Sequence, residues 1–255
     1  MNILMVGNSF SVDAMEYLWQ ILTDQGEENV VLGNLYIGGC SLQTHVENIR
    51  ADVPAYEYFT NTDGNWQMQP QYRLSQAVQS WQWDVITVQQ ASHFSGLPEQ
   101  YTPWLAELLE YLQTACPHAR ILWHMTWAYQ QDSDHWAFGT YGGEQTRMYR
   151  AIVDTVQSVV LKNKGITGVI PCGTTIQNAR TSCLSDTLTR DGFHLSIPVG
   201  RYMAGLTVAR TLLQRPLRTP AWLPQPMDAD TRAVAVEAVE NAAKNPFAVT
   251  QSQYR

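Results

Sequence analysis

Short runs of consecutive apolar residues alternate with stretches of helical period from residue 3 to about residue 215, and this alternation restricts the fold more than any other feature of the chain. Ile3 to Val6 is an unbroken apolar run that stops at Gly7-Asn8-Ser9, and Met15, Leu18, Trp19 and Leu22 follow at helical spacing. Asn29 to Ile37 reads as a second strand ended by Gly38-Gly39, with a helix from Ser41 to Ile49 that Ser41 can cap. Asp84 to Val88 is a third strand, Arg120 to His124 a fourth after a helix over 103–114, and Gly168 to Ile170 a fifth after a long helix over 144–161. Ser196-Ile197-Pro198 opens another helix, with Met203, Leu206, Val208 and Leu212 as its apolar stripe. Strands separated by helices require right-handed crossovers and a mostly parallel sheet covered on both faces, because an uncovered face would leave apolar side chains in water. The expectation is an α/β fold with a central, mostly parallel, five-stranded sheet. Ligands of such sheets bind beyond the carboxyl ends of the strands, which here carry Gly7-Asn8-Ser9, Gly38-Gly39, Gln89-Gln90 and His124.

Two stretches break the alternation. Residues 52–73 hold aromatics on either side of Asp63-Gly64, the pattern of a hairpin insertion. Residues 127–143 (WAYQQDSDHWAFGTYGG) form a long aromatic loop after the fourth strand, of the kind used as a lid. Beyond a Pro-rich connection after Leu217, a helix over 230–244 is expected to dock on the same body. The whole chain, 1–255, therefore reads as one domain with a core over about 1–215 and a C-terminal extension over 216–255.

Composition narrows the function. With 16 Lys plus Arg against 23 Asp plus Glu, the net charge of −7 has the wrong sign for tracking phosphates, so nucleic acid is not an expected partner. No apolar run approaches the roughly 18 residues of a spanning helix, so no membrane partner is expected either. Met1-Asn2 runs straight into the first strand, so the chain as written reads as cytoplasmic, and as secreted or periplasmic if a signal peptide has been removed. Cys40, Cys116, Cys172 and Cys183 have neither C-x-x-C nor zinc spacing and read as free thiols. Nine Trp and twelve Tyr beside many uncharged hydrogen-bonding residues suit a sugar, whose C–H faces pack on rings while its hydroxyls need partners.

Three residues carry chemistry. Ser9 stands at the strand-to-helix turn, where the first free N–H groups of a helix can hold charge on a neighbouring oxygen, although Asn8, Ser9 or Ser11 would equally serve as a cap. Asp191 precedes His194 by three residues, in R-D-G-F-H-L-S, so its carboxylate can fix one imidazole nitrogen while the other faces a serine. Trp123, Trp127, Tyr129 and Trp136 lie on or after the fourth strand and are candidate walls of a substrate pocket. Asp132-Ser133-Asp134-His135 lacks metal-site spacing and reads as a solvated lid segment, so no metal is expected.

With Gly7-Asn8-Ser9 after the first strand and Asp191-Gly192-Phe193-His194-Leu195-Ser196 before a helix with an early Gly200, the chain resembles the SGNH (GDSL-like) hydrolase superfamily, in its bacterial carbohydrate-esterase-like branch. The resemblance covers residues 1–215 and implies a flavodoxin-like three-layer α/β/α sandwich, no cofactor, and ester hydrolysis by Ser9, His194 and Asp191. It also implies an oxyanion hole of the Ser9 N–H, the Gly39 N–H (Gly38 as the alternative) and a side-chain amide. At the third block, where the family has G-x-N-D, this chain has Val88-Gln89-Gln90-Ala91-Ser92-His93, and Gln90 is the expected donor, with Gln89 pointing to the other face. The expected activity is removal of a short acyl group, acetyl first, from a carbohydrate or similar polar ester. A homo-oligomer is compatible with the sequence. Two rival readings are a non-catalytic sugar-binding module on the same fold, and a phosphate or cofactor binder using the Gly7 to Ser11 turn, which leaves Asp191 and His194 unexplained.

Overall fold

Strand β1, Asn2–Gly7, is buried over Ile3 to Gly7, so its apolar run is continuous and not alternating, as it must be in the middle of a sheet covered on both faces. The structure is a computed structural model that describes residues 1–255. On one side β1 pairs in parallel with β2, Val31–Tyr36, and on the other with β5, Val85–Val88. Strands β6, Arg120–His124, and β7, Gly168–Ile170, continue the parallel ladder beyond β5. The chain thus leaves β1 first to one side and then to the other, and the crevice at this reversal lies at the carboxyl end of β1, beside Gly7.

The sheet has seven strands, not five. The residues read as a hairpin insertion form β3, Tyr56–Asn61, and β4, Gln67–Tyr72, and β3 pairs antiparallel with β2 from Leu32↔Asn61 to Tyr36↔Glu57. The order is β4-β3-β2-β1-β5-β6-β7. The open edge of β2 offered unpaired N–H and C=O groups, and the hairpin satisfies them. Tyr56 and Tyr58 alternate inward while Glu57 and Phe59 point to the other face, toward the carboxyl end of β1.

Helices α1, Ser9–Met15, and α2, Leu18–Asp24, replace the single helix that the spacing of Met15, Leu18 and Leu22 suggests. Helix α3, Leu42–Ala51, starts where expected, with Ser41 Oγ accepting from the Thr44 N–H at 3.1 Å. Two helices escape the sequence reading: α4, Leu74–Ser80, and α7, Cys172–Ala179. All eight residues of α7 are buried, so it has no solvent face and no apolar period to show. Helices α5, Trp104–Ala115, and α6, Gln145–Ser158, cover the sheet between β5 and β7. Helix α8 runs over Val199–Leu213, so it begins three residues after Ser196, whose Oγ instead accepts from the Gly200 N–H at 3.1 Å. Helix α9, Ala229–Lys244, buries Val234, Ala235, Ala238 and Val239 in the same core as β1 and packs on α7 and α8. Cys40, Cys116, Cys172 and Cys183 are free thiols, with Cys40 and Cys172 buried. No helix is long and apolar enough to cross a membrane.

Candidate active site

Asn8 makes the turn from β1 into α1. Its extended backbone and its Oδ1, which accepts from the Phe10 N–H at 3.1 Å, cap the helix, and its Nδ2 donates to the Cys40 carbonyl at 3.0 Å. One side chain therefore joins the turn after β1 to the Gly38-Gly39 turn after β2. Capping by Asn8 leaves Ser9, the first residue of α1, with its hydroxyl at the cleft and an N–H that has no intrahelical partner.

The Ser9 Oγ lies 2.8 Å from His194 Nε2, and His194 Nδ1 lies 2.6 Å from Asp191 Oδ2. The other carboxylate oxygen of Asp191 accepts from the His194 N–H at 2.7 Å and the Phe193 N–H at 3.3 Å, so the D-G-F-H spacing folds into a tight turn that aims carboxylate and imidazole at each other. Partial desolvation raises the Asp191 pKa, but the hydrogen bonds from the His194 ring and backbone, its charge and the Phe193 N–H outweigh it, and the carboxyl sits below its ordinary value. Asp191 is consequently ionised at neutral pH.

The loop carrying Asp191 and His194 is held from the side of the 127–143 segment. Gln130 N–H donates to the Gly192 carbonyl at 2.7 Å, and Trp127 Nε1 donates to the Phe193 carbonyl at 2.7 Å. Gly192 has φ +85°, and a Cβ there would come within 2.8 Å of Ser133 Oγ. Gly192→Ala is expected to cost about 1–2 kcal/mol for the left-handed backbone alone, before the collision with Ser133. Urea denaturation at pH 7 measures it.

The cleft above Ser9 has a volume of about 590 Å³. Gly38 and Gly39 border it, and their N–H groups donate to no acceptor within the protein. Gly39 has φ +64°, which only glycine takes without strain. The expected side-chain donor is not there. Gln90 is buried, its Oε1 accepting from the Leu42 N–H at 3.0 Å and the Ala91 N–H at 2.9 Å, while its Nε2 donates to the Gln100 carbonyl at 2.9 Å. Gln89 is equally committed, donating to Asn8 Oδ1 at 2.6 Å and accepting from His124 Nδ1 at 2.9 Å. Both amides fasten the turns that flank Ser9, since in this buried position leaving those backbone groups unpaired would cost more than an amide aimed at solvent could return. Ser92 and His93 reach the cleft in their place.

Of the four candidate aromatic walls, Trp136 alone lines the cleft, and it is 78% exposed. Trp123, Trp127 and Tyr129 are core. Trp123 packs against Tyr101, Trp127 stacks on Phe10 with ring centres 4.3 Å apart, and the Tyr129 hydroxyl is 2.9 Å from Ser92 Oγ. The remaining walls were not legible in the sequence: Tyr36, Glu57 and Phe59 from β2 and β3, and His93, His135 and Phe193 near Trp136. Burial and then the neighbouring imidazoles hold His93 and His135 below the ordinary histidine value, so this rim is neutral at pH 7. Arg190 and Arg201 also border the cleft, both on the fully buried carboxylate of Asp13. The signal for them was a single acid one turn after Ser9 in an otherwise uncharged helix.

A mostly parallel sheet that reverses at β1 is the fold of the SGNH hydrolases. Among solved structures that share it are a protein of Slackia heliotrinireducens provisionally described as an SGNH hydrolase, 22% identical with a TM-score of 0.53 over 83% of this chain and 98% of that one, and a carbohydrate esterase family 3 protein from Talaromyces cellulolyticus, 10% identical with a TM-score of 0.54 over 84% and 97%. Within that fold the chain belongs to the DUF4886 family (Domain of unknown function), whose profile residues 2–243 match. A DUF4886 family protein from Bacteroides uniformis ATCC 8492 is 38% identical and superposes with a TM-score of 0.95 over 98% of this chain and 97% of that one. No curated protein matches the sequence.

Proposed function

We propose that the protein is a serine esterase that removes a short acyl group, acetyl first, from a carbohydrate or similar polar ester. The observation that carries this reading is the hydrogen-bonded row Ser9, His194, Asp191 opening into the cleft, with 2.8 Å and 2.6 Å between its members. In this reading Ser9 Oγ attacks the ester carbonyl and gives its proton to His194 Nε2, while Asp191 keeps a proton on Nδ1 and stabilises the imidazolium. The negative charge that develops on the carbonyl oxygen is held by backbone donors, the Ser9 N–H and the N–H groups of the Gly38-Gly39 turn, with no side-chain amide. Each such donor is typically worth on the order of 100-fold in rate. His194 then protonates the leaving alcohol and activates the water that releases the acid.

The polar alcohol is supported by the cleft walls. Trp136 offers an exposed ring face beside the neutral His93 and His135, and Glu57 and Ser92 offer further hydrogen-bonding groups in the same cleft. Trp136→Ala is expected to raise KM for an acetylated sugar by about 5- to 20-fold, the worth of one lost ring contact, and to leave kcat for p-nitrophenyl acetate within about twofold. Steady-state kinetics on the two esters measure both. The commitment of Gln89 and Gln90 to other partners favours a rival, the sugar-binding module without turnover.

Hydrolysis of p-nitrophenyl acetate and of an acetylated sugar by the wild type and by Ser9→Ala, with folding checked by circular dichroism, separates them. Turnover that vanishes in the folded variant is the expected result. No turnover by the wild type, with sugar binding unaffected by the substitution, would establish the binding module instead.

A further inference from the structure

Asp13 is the one carboxylate of the protein that is completely buried among the charged groups around the cleft, and every group it holds belongs to the segment around His194 or to the helix behind it. Its Oδ2 accepts from the Leu195 N–H at 2.7 Å, and its Oδ1 from Arg190 Nη1 at 3.1 Å and Arg201 Nε at 2.8 Å. Arg190 Nη1 also donates to the Leu195 carbonyl, and the Arg190 N–H donates to the His194 carbonyl at 2.9 Å. Both ends of the loop that bears Asp191 and His194 are therefore tied, directly or through Arg190, to one carboxylate.

That carboxylate stands four residues after Ser9 on α1, one helical turn along the same face. From these contacts we propose that Asp13 is a positioning residue for His194, setting the Ser9 to His194 spacing through a single turn of helix; the proposal rests on the esterase reading above. The Asp13 carboxylate hydrogen-bonds to neither the Ser9 hydroxyl nor the imidazole, so its effect passes through Leu195 and Arg190. The side of the loop facing residues 127–133 is held only by neutral hydrogen bonds, those of Gln130 and Trp127. Charge-assisted bonds are about twice as strong as neutral ones at comparable length, so the Asp13 side determines where the loop sits. A buried ion pair is weak evidence for stability, because desolvation offsets most of its attraction, and its retention here is better explained by the geometry it enforces.

The test is kcat and KM on p-nitrophenyl acetate for the wild type, Asp13→Asn, His194→Ala and the double variant, each well below its own Tm. Asp13→Asn is expected to lower kcat by about 100-fold, the scale of a misplacement near 1 Å, with KM within threefold. In the His194→Ala background the same substitution is expected to change nothing, since there is no base left to misplace. A purely structural role predicts a lower Tm but an unchanged kcat in the folded variant, or equal losses in both backgrounds, and either result overturns the proposal. Should Asp13→Asn not fold, Arg190→Gln leaves Asp13 paired with Arg201 and is expected to lower kcat by about tenfold; full kcat in that variant likewise overturns it. A wild type without Ser9-dependent turnover removes the esterase reading and the proposal together, whereas turnover that survives in Asp13→Asn removes the proposal alone.

Discussion

Ester turnover is expected to fall by about 10⁴-fold or more in Ser9→Ala, by a similar factor in His194→Ala, and no further when the two are combined. In the proposed mechanism Ser9 would form the bond to the acyl carbon and His194 would take its proton, so either loss would leave the other group with nothing to do. On that mechanism the backbone donors and substrate binding would remain and would keep a small rate above water. Neither substitution threatens the fold. Asn8, not Ser9, caps α1, and the backbone N–H of residue 194 keeps its bond to Asp191. Asp191→Ala is expected to cost less than the other two, because its side chain is 41% exposed and water can solvate part of the imidazolium in its place. Initial rates with p-nitrophenyl acetate for the three single variants and the Ser9/His194 double variant provide the check. Additive losses would mean that the pair does not act as a unit.

Lowering the pH from 8 to 5 is expected to remove on the order of 4 kcal/mol of folding stability through two histidines far from solvent. His45 and His124 are fully buried, and burial lowers their pKa from the ordinary 6.5 to about 3 and about 4. The structural reason is visible at each ring. His124 Nδ1 donates to Gln89 Oε1 and His45 Nδ1 is 3.0 Å from the Tyr56 hydroxyl, but neither Nε2 has any partner, so a proton added there would have no acceptor. Both folded-state values lie below the unfolded one. Between pH 6.5 and about 4 the unfolded chain therefore binds protons that the native protein refuses, and stability rises with pH through that window and is complete above it. At pH 5 each ring accounts for about 2 kcal/mol, 1.4 kcal/mol for each unit below 6.5. Urea denaturation of the wild type, His45→Gln and His124→Gln at pH 8, 7, 6 and 5 tests this. Each variant is expected to show about half the wild-type pH dependence. Equal dependence in all three would place the acid sensitivity elsewhere, with the carboxylates.

His124 also shows why the third block was misread. The order Gln89-Gln90 after a strand suggests an amide that projects into the site, because a strand end is where a side chain leaves the sheet. In the structure Gln89 lies behind the Gly7-Asn8-Ser9 turn, where a Cβ on Gly7 would come within 2.9 Å of it, and Gln90 lies under the Leu42 N–H. An amide carries donors and acceptors in equal measure, so its residue type says nothing about which groups will claim it. The same ambiguity explains Trp123, Trp127 and Tyr129. A ring near a strand end can fill the core or wall a cleft, and only the neighbours distinguish the two, Phe10 over Trp127 and Ser92 beside Tyr129.

Ser9, Asp191 and His194 were legible as a set because short local patterns carry them: a strand-to-helix turn, and a carboxylate three residues before a histidine at a glycine turn. The five parallel strands were legible because runs covered on both faces are mostly apolar, with Asn34 in β2 and Thr87 in β5 as buried exceptions. What the amino-acid sequence determined by itself is thus the part of the protein governed by local backbone chemistry and burial period. The hairpin that extends the sheet to seven strands, the walls Glu57 and Phe59 that it brings to the cleft, and the hold of Asp13 on a loop 182 residues downstream belong to the tertiary structure. Each depends on a hydrogen-bond partner supplied by a distant segment, and a polar group's partner, unlike its need for one, is not written in its own neighbourhood.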